Sequence, residues 1–369
     1  HALGDLDLLG LAFVGHRGLV VQLHGVILRL RAHEAHADIA AGGLRQNADG
    51  IGRLDLTKEY GIVLEGGGAR GSYQIGAWKA LREAGIKIRG IAGASVGALN
   101  GALICMDDLE KAEEIWENIR YSQVIDVDDD VIETVKKLDL KSLNLVKVAE
   151  DAKRILKDKG LDITPLKNLI ESVVDEDKIR SSDRELYLTT YSVTDRELLV
   201  LNAKDIPDGE IGDMLLASAY FPAFRNDKLG GKRYLDGGGW NNVPINILLE
   251  HDYKDILVIR IYGLGYDSER TTEIPEDVHV THIAPRQDLG GILEFDRTRA
   301  RKNMTLGYYD AKRVLYGLEG RWYYLYAPES DVYYFERFLT EIEEFTRCGL
   351  LPMPEQIPEE LSGYRIYTE

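Results

Sequence analysis

Three glycine-framed segments carry the residues of this chain best suited to chemistry: Gly66-Gly67-Gly68-Ala69-Arg70-Gly71, Gly93-Ala94-Ser95-Val96-Gly97 and Asp236-Gly237-Gly238. The second frames a serine with small residues two positions away on either side. That pattern suits a tight strand-to-helix turn exposing a hydroxyl over a helix N-terminus. The unpaired N–H groups and positive dipole end found there favour developing negative charge. The first segment offers backbone N–H groups with no side chain above them, which suits an oxyanion site. The third supplies a carboxylate that glycines leave unobstructed, and a carboxylate within reach of a serine can act as general base. Together they offer Ser95 for attack, Asp236 for the proton, and Gly67 and Gly68 for the oxyanion. Arg70 would order that loop or add positive charge.

Each segment has a plainer reading. Gly66 to Gly71 also fits G-x-G-x-x-G, the dinucleotide-binding turn, which needs an acidic residue at the end of the next strand to hold a ribose. This chain has Lys87-Ile88-Arg89-Gly90 there, which disfavours a nucleotide. Asp236 taken alone is a turn aspartate, and a bare G-x-S-x-G recurs by chance. Three histidines stand outside the N-terminal stretch: His251, His279 and His282. Surface or strand positions account for them, and His282 is the triad candidate should the serine–aspartate pair fail, since it follows serine and acid in chain order.

The elements that would position these residues follow from local patterning. Tyr60 to Leu64 is an apolar run ended by glycines and reads as a buried strand. Ser72 caps a helix through Glu83, closed by Gly85. Ile86 to Ala92 reads as a second strand, and Val96 opens a helix running to about Arg120. Leu186–Val193 and Leu198–Asn202 read as a hairpin, Gly212–Ala219 as a helix, and Ile256–Ile261 as a late buried strand. Val278–Ala284 is a possible strand, Phe295–Leu318 a long helix, Trp322–Tyr326 a strand, and Val332–Phe345 a helix closing the core. The repeated order of strand, glycine turn and helix implies parallel strands with crossover helices.

Composition bounds the rest. The net charge of -17 argues against nucleic acid as a partner. It also disfavours tight docking on strongly anionic membranes without a local basic face. Two cysteines, Cys105 and Cys348, require no disulfide framework and suit a reducing compartment. Residues 1–55 contain no lysine, tyrosine or methionine, whereas every tyrosine lies at Tyr60 or later. They read as a disordered or non-native extension, without the uninterrupted apolar run of a membrane span or the layout of a secretory signal. Between residues 126 and 180 glycine is scarce, and between Val131 and Gly160 basic residues outnumber acidic ones, which suits a lid-like helical insertion or an ordinary solvated one. Residues 56–350 read as one catalytic domain, and 351–369, with Pro352, Pro354 and Pro358, as an irregular tail.

With these motifs in place, residues from about Leu56 to the 307–318 region resemble the patatin-like phospholipase family, of bacterial type. Gly66–Gly71 is similar to its G-G-G-x-[K/R]-G loop, Gly93–Gly97 to its nucleophile elbow, and Asp236–Gly238 to its D-G-[G/A] motif. Leu215–Phe224 and Asn242-Val243-Pro244 fit the flanking pattern. Glu65 and Ala94 depart from it, where Asp and Thr are common. The resemblance implies a three-layer α/β/α sandwich with a mainly parallel sheet. It also implies acyl-ester hydrolysis through Ser95 and Asp236, oxyanion donors at Gly67 and Gly68 supported by Arg70, and neither metal nor cofactor. The expected partner is a lipid or other acyl ester, with transient membrane-surface contact, in a bacterial cytoplasmic protein. A lipid- or acyl-binding regulatory protein of the same fold, with little turnover, is the alternative.

Overall fold

The computed structural model describes residues 54–126, 161–225, 227–318, 329 and 331–347. The chain separates into two compact units, residues 49–317 and residues 1–48 with 318–369. The larger unit is built on seven strands: β1 (Glu59–Leu64), β2 (Lys87–Ala94), β3 (Glu185–Ser192), β4 (Glu197–Asn202), β5 (Tyr234–Asp236), β6 (Asp255–Ile259) and β7 (His279–Ile283). Their order is β4-β3-β2-β1-β6-β7, with β5 also paired to β3. The run from β3 to β7 is parallel, and β4 and β5 join β3 antiparallel.

Alternating side chains along these strands feed two separate cores, as a pleated sheet covered on both faces requires. Ile62 and Leu64 of β1, Leu186 and Leu188 of β3, and Leu257 and Ile259 of β6 enter the larger core. Their neighbours Val63, Tyr187, Ile256 and Val258 enter the smaller one. The larger core is covered by α1 (Ser72–Glu83), α2 (Val96–Cys105), α3 (Leu109–Asn118), α4 (Thr164–Val173), α6 (Ile211–Ser218) and α9 (Arg297–Tyr316). Short helices α5 (Glu176–Ser181) and α7 (Gly238–Asn241) lie between them in sequence, and α8 (Ile245–Glu250) covers the smaller core with Ile245, Ile247 and Leu248. The result is the expected three-layer α/β/α arrangement.

Helices α1 and α9 pack backbone to backbone. A Cβ at Gly76 would stand 1.8 Å from the Met304 carbonyl oxygen, and one at Gly307 would stand 2.0 Å from that of Tyr73. Helix α9 is itself well bounded. The Asp296 side chain accepts from the Arg299 N–H, and Gly317 ends the helix in a left-handed conformation.

Several elements depart from the sequence reading. Gly71, not Ser72, is the N-cap of α1, because the Ser72 hydroxyl donates back to the Ala69 carbonyl at 3.2 Å. The helix expected from Val96 to Arg120 is two helices. Asp107 turns the chain with a φ of 58°, and the Asp108 side chain caps α3 by accepting from the Lys111 N–H. Trp322–Tyr326 falls outside the described residues, as do most of the 126–180 insertion, the 1–53 stretch, Cys348 and the 351–369 tail. In the smaller unit, α10 (Asp331–Arg347) is helical over the expected residues, with Val332, Tyr333 and Phe335 exposed.

A side chain at the α1–α9 crossing has no room to form. Gly307→Val is expected to lower the melting temperature by on the order of 5–10 °C, read by thermal denaturation, while a similar change at the open position Gly239 leaves it nearly unchanged.

Candidate functional site

The edge of β3 is shared by two strands. β2 pairs with its first half, ending at Ala94 opposite Thr189. β5 takes the next positions from the other direction, with Asp236 opposite Thr190. The ends of β2 and β5 therefore meet, and the sheet register alone brings Ser95 and Asp236 together. Both are half-buried.

Ser95 turns the chain into α2 with φ 53° and ψ −127°, a conformation uncommon for a residue with a Cβ and typical of sites where surrounding structure enforces strain. The flanking glycines make that turn possible. A Cβ at Gly93 would lie 2.5 Å from the Gly97 carbonyl carbon, and one at Gly97 would lie 2.1 Å from the Leu64 carbonyl oxygen. The Ser95 N–H is anchored by the buried Ser218 hydroxyl at 3.0 Å, and the Asp236 N–H by the Tyr220 carbonyl at 2.8 Å. The last residue of α6 and the segment after it thus hold both residues.

On Asp236, Oδ1 accepts from the Gly238 N–H at 2.8 Å. Burial pushes the carboxyl up from 3.8 to about 6, while the Ser95 side chain and the Gly238 N–H act as hydrogen-bond partners that pull it back down. Gly237 lies against the Thr189 carbonyl.

The Gly66–Gly71 loop lies beside this pair. A Cβ at Gly66 would come within 3.2 Å of the Ser95 Cβ. Gly66 exchanges two bonds with Asn242: its N–H reaches the Asn242 carbonyl at 3.2 Å, and the Asn242 side-chain amide reaches the Gly66 carbonyl at 3.1 Å. Among the described residues, the N–H groups of Gly67 and Gly68 meet no intramolecular acceptor. Gly68 adopts φ 56°, with the Ile292 carbonyl oxygen 2.1 Å from where a Cβ would stand. Arg70 is not among the residues lining the cavity beside this loop. It donates to the Gly290 carbonyl at 2.8 Å, to that of Ile261 at 3.4 Å and to that of Tyr262, so it braces the loop. The Gly71 carbonyl accepts from buried Asn100 at 2.9 Å.

Residues to which sequence reasoning gave no role complete this brace. The Glu65 carboxylate, almost wholly buried, accepts from the N–H groups of Ile261, Tyr262 and Gly263 and from Arg260. Its carbonyl accepts from Gln74, which accepts from Asn100, which accepts from Trp116. A carboxylate directly before a glycine loop was the available signal for Glu65. For Asn242 the signal was its place after the Asp-Gly-Gly motif, for Ser218 its place in the Leu215–Phe224 stretch, and nothing in the local pattern marked the 288–295 loop.

Gly66, Gly67, Gly68, Ser95, Asp236 and Asn242 line one end of a cavity of about 130 Å³. Its other walls are apolar, drawn from α2, α3, α4, the segment after α6 and residues 292–295. No histidine of the described residues lines it. His251 Nδ1 contacts the Ile247 carbonyl at 2.8 Å, and His282 Nε2 sits against Glu269. Arg89, at the position a ribose-binding acid would need, pairs with Asp183 at 2.9 Å. No group of three or more metal-ligating side chains occurs among the described residues, and no helix among them is long and apolar enough to cross a membrane.

Fold and site together are those of a serine-bearing α/β protein, and the comparison with known families is specific. The chain belongs to the patatin-like phospholipase family, whose model matches residues 62–249, about half of the chain. It is 58% identical over 50 residues to lysophospholipase nte1 of Aspergillus terreus and 57% identical over 47 residues to neuropathy target esterase sws of Drosophila sechellia. These stretches cover 14% and 13% of this chain and 3% of each relative, so the chain spans a small part of the curated relatives it matches. Among solved structures it is similar to VipD from Legionella pneumophila (TM-score 0.41, 14% identity, 69% of this chain and 66% of that one). It is also similar to the type III effector ExoU (TM-score 0.40, 18% identity, 72% and 53%).

The raised Asp236 carboxyl links pH to stability. A carboxyl whose pKa rises on folding, here from 3.8 to about 6, adds stability that is fully present below pH about 4 and lost as pH climbs through about 6. Asp236→Asn removes that loss. Its melting temperature relative to the parent is therefore expected to be higher at pH 8 than at pH 4, as parallel thermal scans would show; a difference independent of pH would contradict the raised value.

Proposed function

We propose that this chain is a serine-dependent acyl-ester hydrolase of lipids, working through Ser95 and Asp236. The observation that carries the reading is the meeting of β2 and β5 on β3, which joins a strained serine to a half-buried carboxylate beside an apolar cavity. The family supports a lipid substrate, and the cavity suits its acyl chain.

In the proposed reaction the Asp236 carboxylate takes the proton of the Ser95 hydroxyl as Oγ bonds to the acyl carbon. The carbonyl oxygen becomes an oxyanion beside the Gly67 and Gly68 N–H groups, whose preorganised donors stabilise charge developing in the transition state. Arg70, Glu65 and Asn242 hold those donors in place. As the tetrahedral intermediate collapses, the ester C–O bond breaks and Asp236 returns the proton to the leaving alkoxide, leaving an acyl-serine. Water, deprotonated by Asp236, attacks the acyl carbon and releases the fatty acid, with the proton returning to Ser95. A base with a pKa near 6 is matched to this work around neutral pH. Contact with a membrane or micelle surface, where such substrates reside, belongs to the same proposal, as does a cytoplasmic setting.

Ser95→Ala and Asp236→Asn are each expected to reduce hydrolysis of p-nitrophenyl esters by about a thousandfold or more while remaining folded by circular dichroism. In the parent, kcat/KM is expected to fall as pH drops through about 6, because only the carboxylate can accept the proton. Parent-like activity in either folded variant refutes the assignment.

A further inference from the structure

Residues 288–295 belong to none of the three glycine segments and lie beyond the region matched by the family model. Yet they touch both halves of the site. On one side, the Ile292 carbonyl accepts from the Ala69 N–H at 2.8 Å, and the Gly290 carbonyl accepts from Arg70 Nε at 2.8 Å. The same Ile292 carbonyl is the group that forces Gly68 to lack a side chain. On the other side, Ile292, Leu293 and Phe295 are buried and form part of the apolar cavity wall. Ile292 does both: its carbonyl meets the loop bearing the Gly67 and Gly68 N–H groups, and the residue itself lines the cavity.

The loop is braced from behind. Asn303 of α9, fully buried, donates to the Leu289 carbonyl at 3.0 Å. The Gly290 and Gly291 N–H groups are taken by Asp288 and Glu294 at 3.0 and 2.9 Å, and the Phe295 ring meets Tyr121 edge-on with centroids 6.1 Å apart. These contacts leave the loop little slack. Interiors are close-packed and shift as units.

We propose that Ile292 is a positioning residue that couples acyl-chain occupancy of the cavity to the oxyanion donors. This rests on the hydrolase reading above and adds to it a link between chain length and turnover. An acyl chain lying against Ile292 sets the Gly67 and Gly68 N–H groups for the transition state. Part of its binding energy thus appears in kcat rather than in KM. A chain too short to reach Ile292 obtains no such help.

The test is a series of p-nitrophenyl esters from acetate to dodecanoate with the parent, Ile292→Ala, Ile292→Val and Leu103→Ala, the last altering a cavity wall residue that makes no bond to the glycine loop. In the parent, kcat is expected to rise with chain length. In Ile292→Ala the long-chain kcat falls at least about tenfold while acetate turnover changes little, Ile292→Val restores most of the loss, and Leu103→Ala raises KM for long chains with kcat kept. An equal drop for acetate and dodecanoate in Ile292→Ala identifies a mere structural brace and overturns the coupling, as does a parent kcat independent of chain length. If Ile292→Ala does not fold, the methyl deletion in Ile292→Val must still lower long-chain kcat selectively, and its failure to do so overturns the coupling equally. Absence of any ester hydrolysis by the parent strikes the hydrolase reading instead, so the two failures are distinguishable.

Discussion

The arrangement depends on one constraint, the sharing of a single strand edge by two strands arriving from opposite ends. β3 offers β2 its first positions and β5 the next, so Ala94 and Asp236 occupy neighbouring places on the same hydrogen-bonded edge. Because pairing register fixes which residues meet, the serine–aspartate juxtaposition belongs to the sheet and not to a mobile side chain. A carboxylate placed there is withdrawn from water and protonates more readily, which is why burial lifts Asp236 toward neutrality.

A second set of contacts brings the glycine loop to that pair. The loop has few side chains of its own with which to hold its shape. Its position comes from outside: Glu65 binds three successive N–H groups of the loop after β6, Asn242 binds Gly66 in both directions, and Arg70 binds carbonyls from two other loops. Buried polar groups of this kind are costly unless satisfied. Here the chain of bonds from Glu65 through Gln74 and Asn100 to Trp116 satisfies them in turn. Glu65, directly before the glycines, places its carboxylate among those N–H groups.

Much of this was legible in the sequence, because glycines at close approaches leave a strong local mark. The three segments, the strand and helix around the first two, and the parallel order follow from short-range patterns, whereas the short strand β5 and helix α7 around Asp236 did not show in them. What was not legible depends on distant partners. The continuous helix expected from Val96 to Arg120 is broken at Asp107, whose carboxylate receives Arg82 and Arg184 from other elements. Ser72 lost its expected capping role to Gly71 because the preceding turn offered its hydroxyl the Ala69 carbonyl. Ser218, Asn242 and Ile292 act through backbone or amide contacts made across long sequence separations, and no periodicity announces those.

Membership of the patatin-like phospholipase family, a strained serine beside a carboxylate and an apolar cavity all support the proposed covalent acyl transfer. The most direct measurement is labelling of the folded protein by a fluorophosphonate, with the adduct located by mass spectrometry of its peptides. The account predicts one adduct, on Ser95, lost in Asp236→Asn. A folded protein that takes up no label, or takes it up at another serine with Ser95 untouched, would contradict it and favour a lipid-binding protein of this fold.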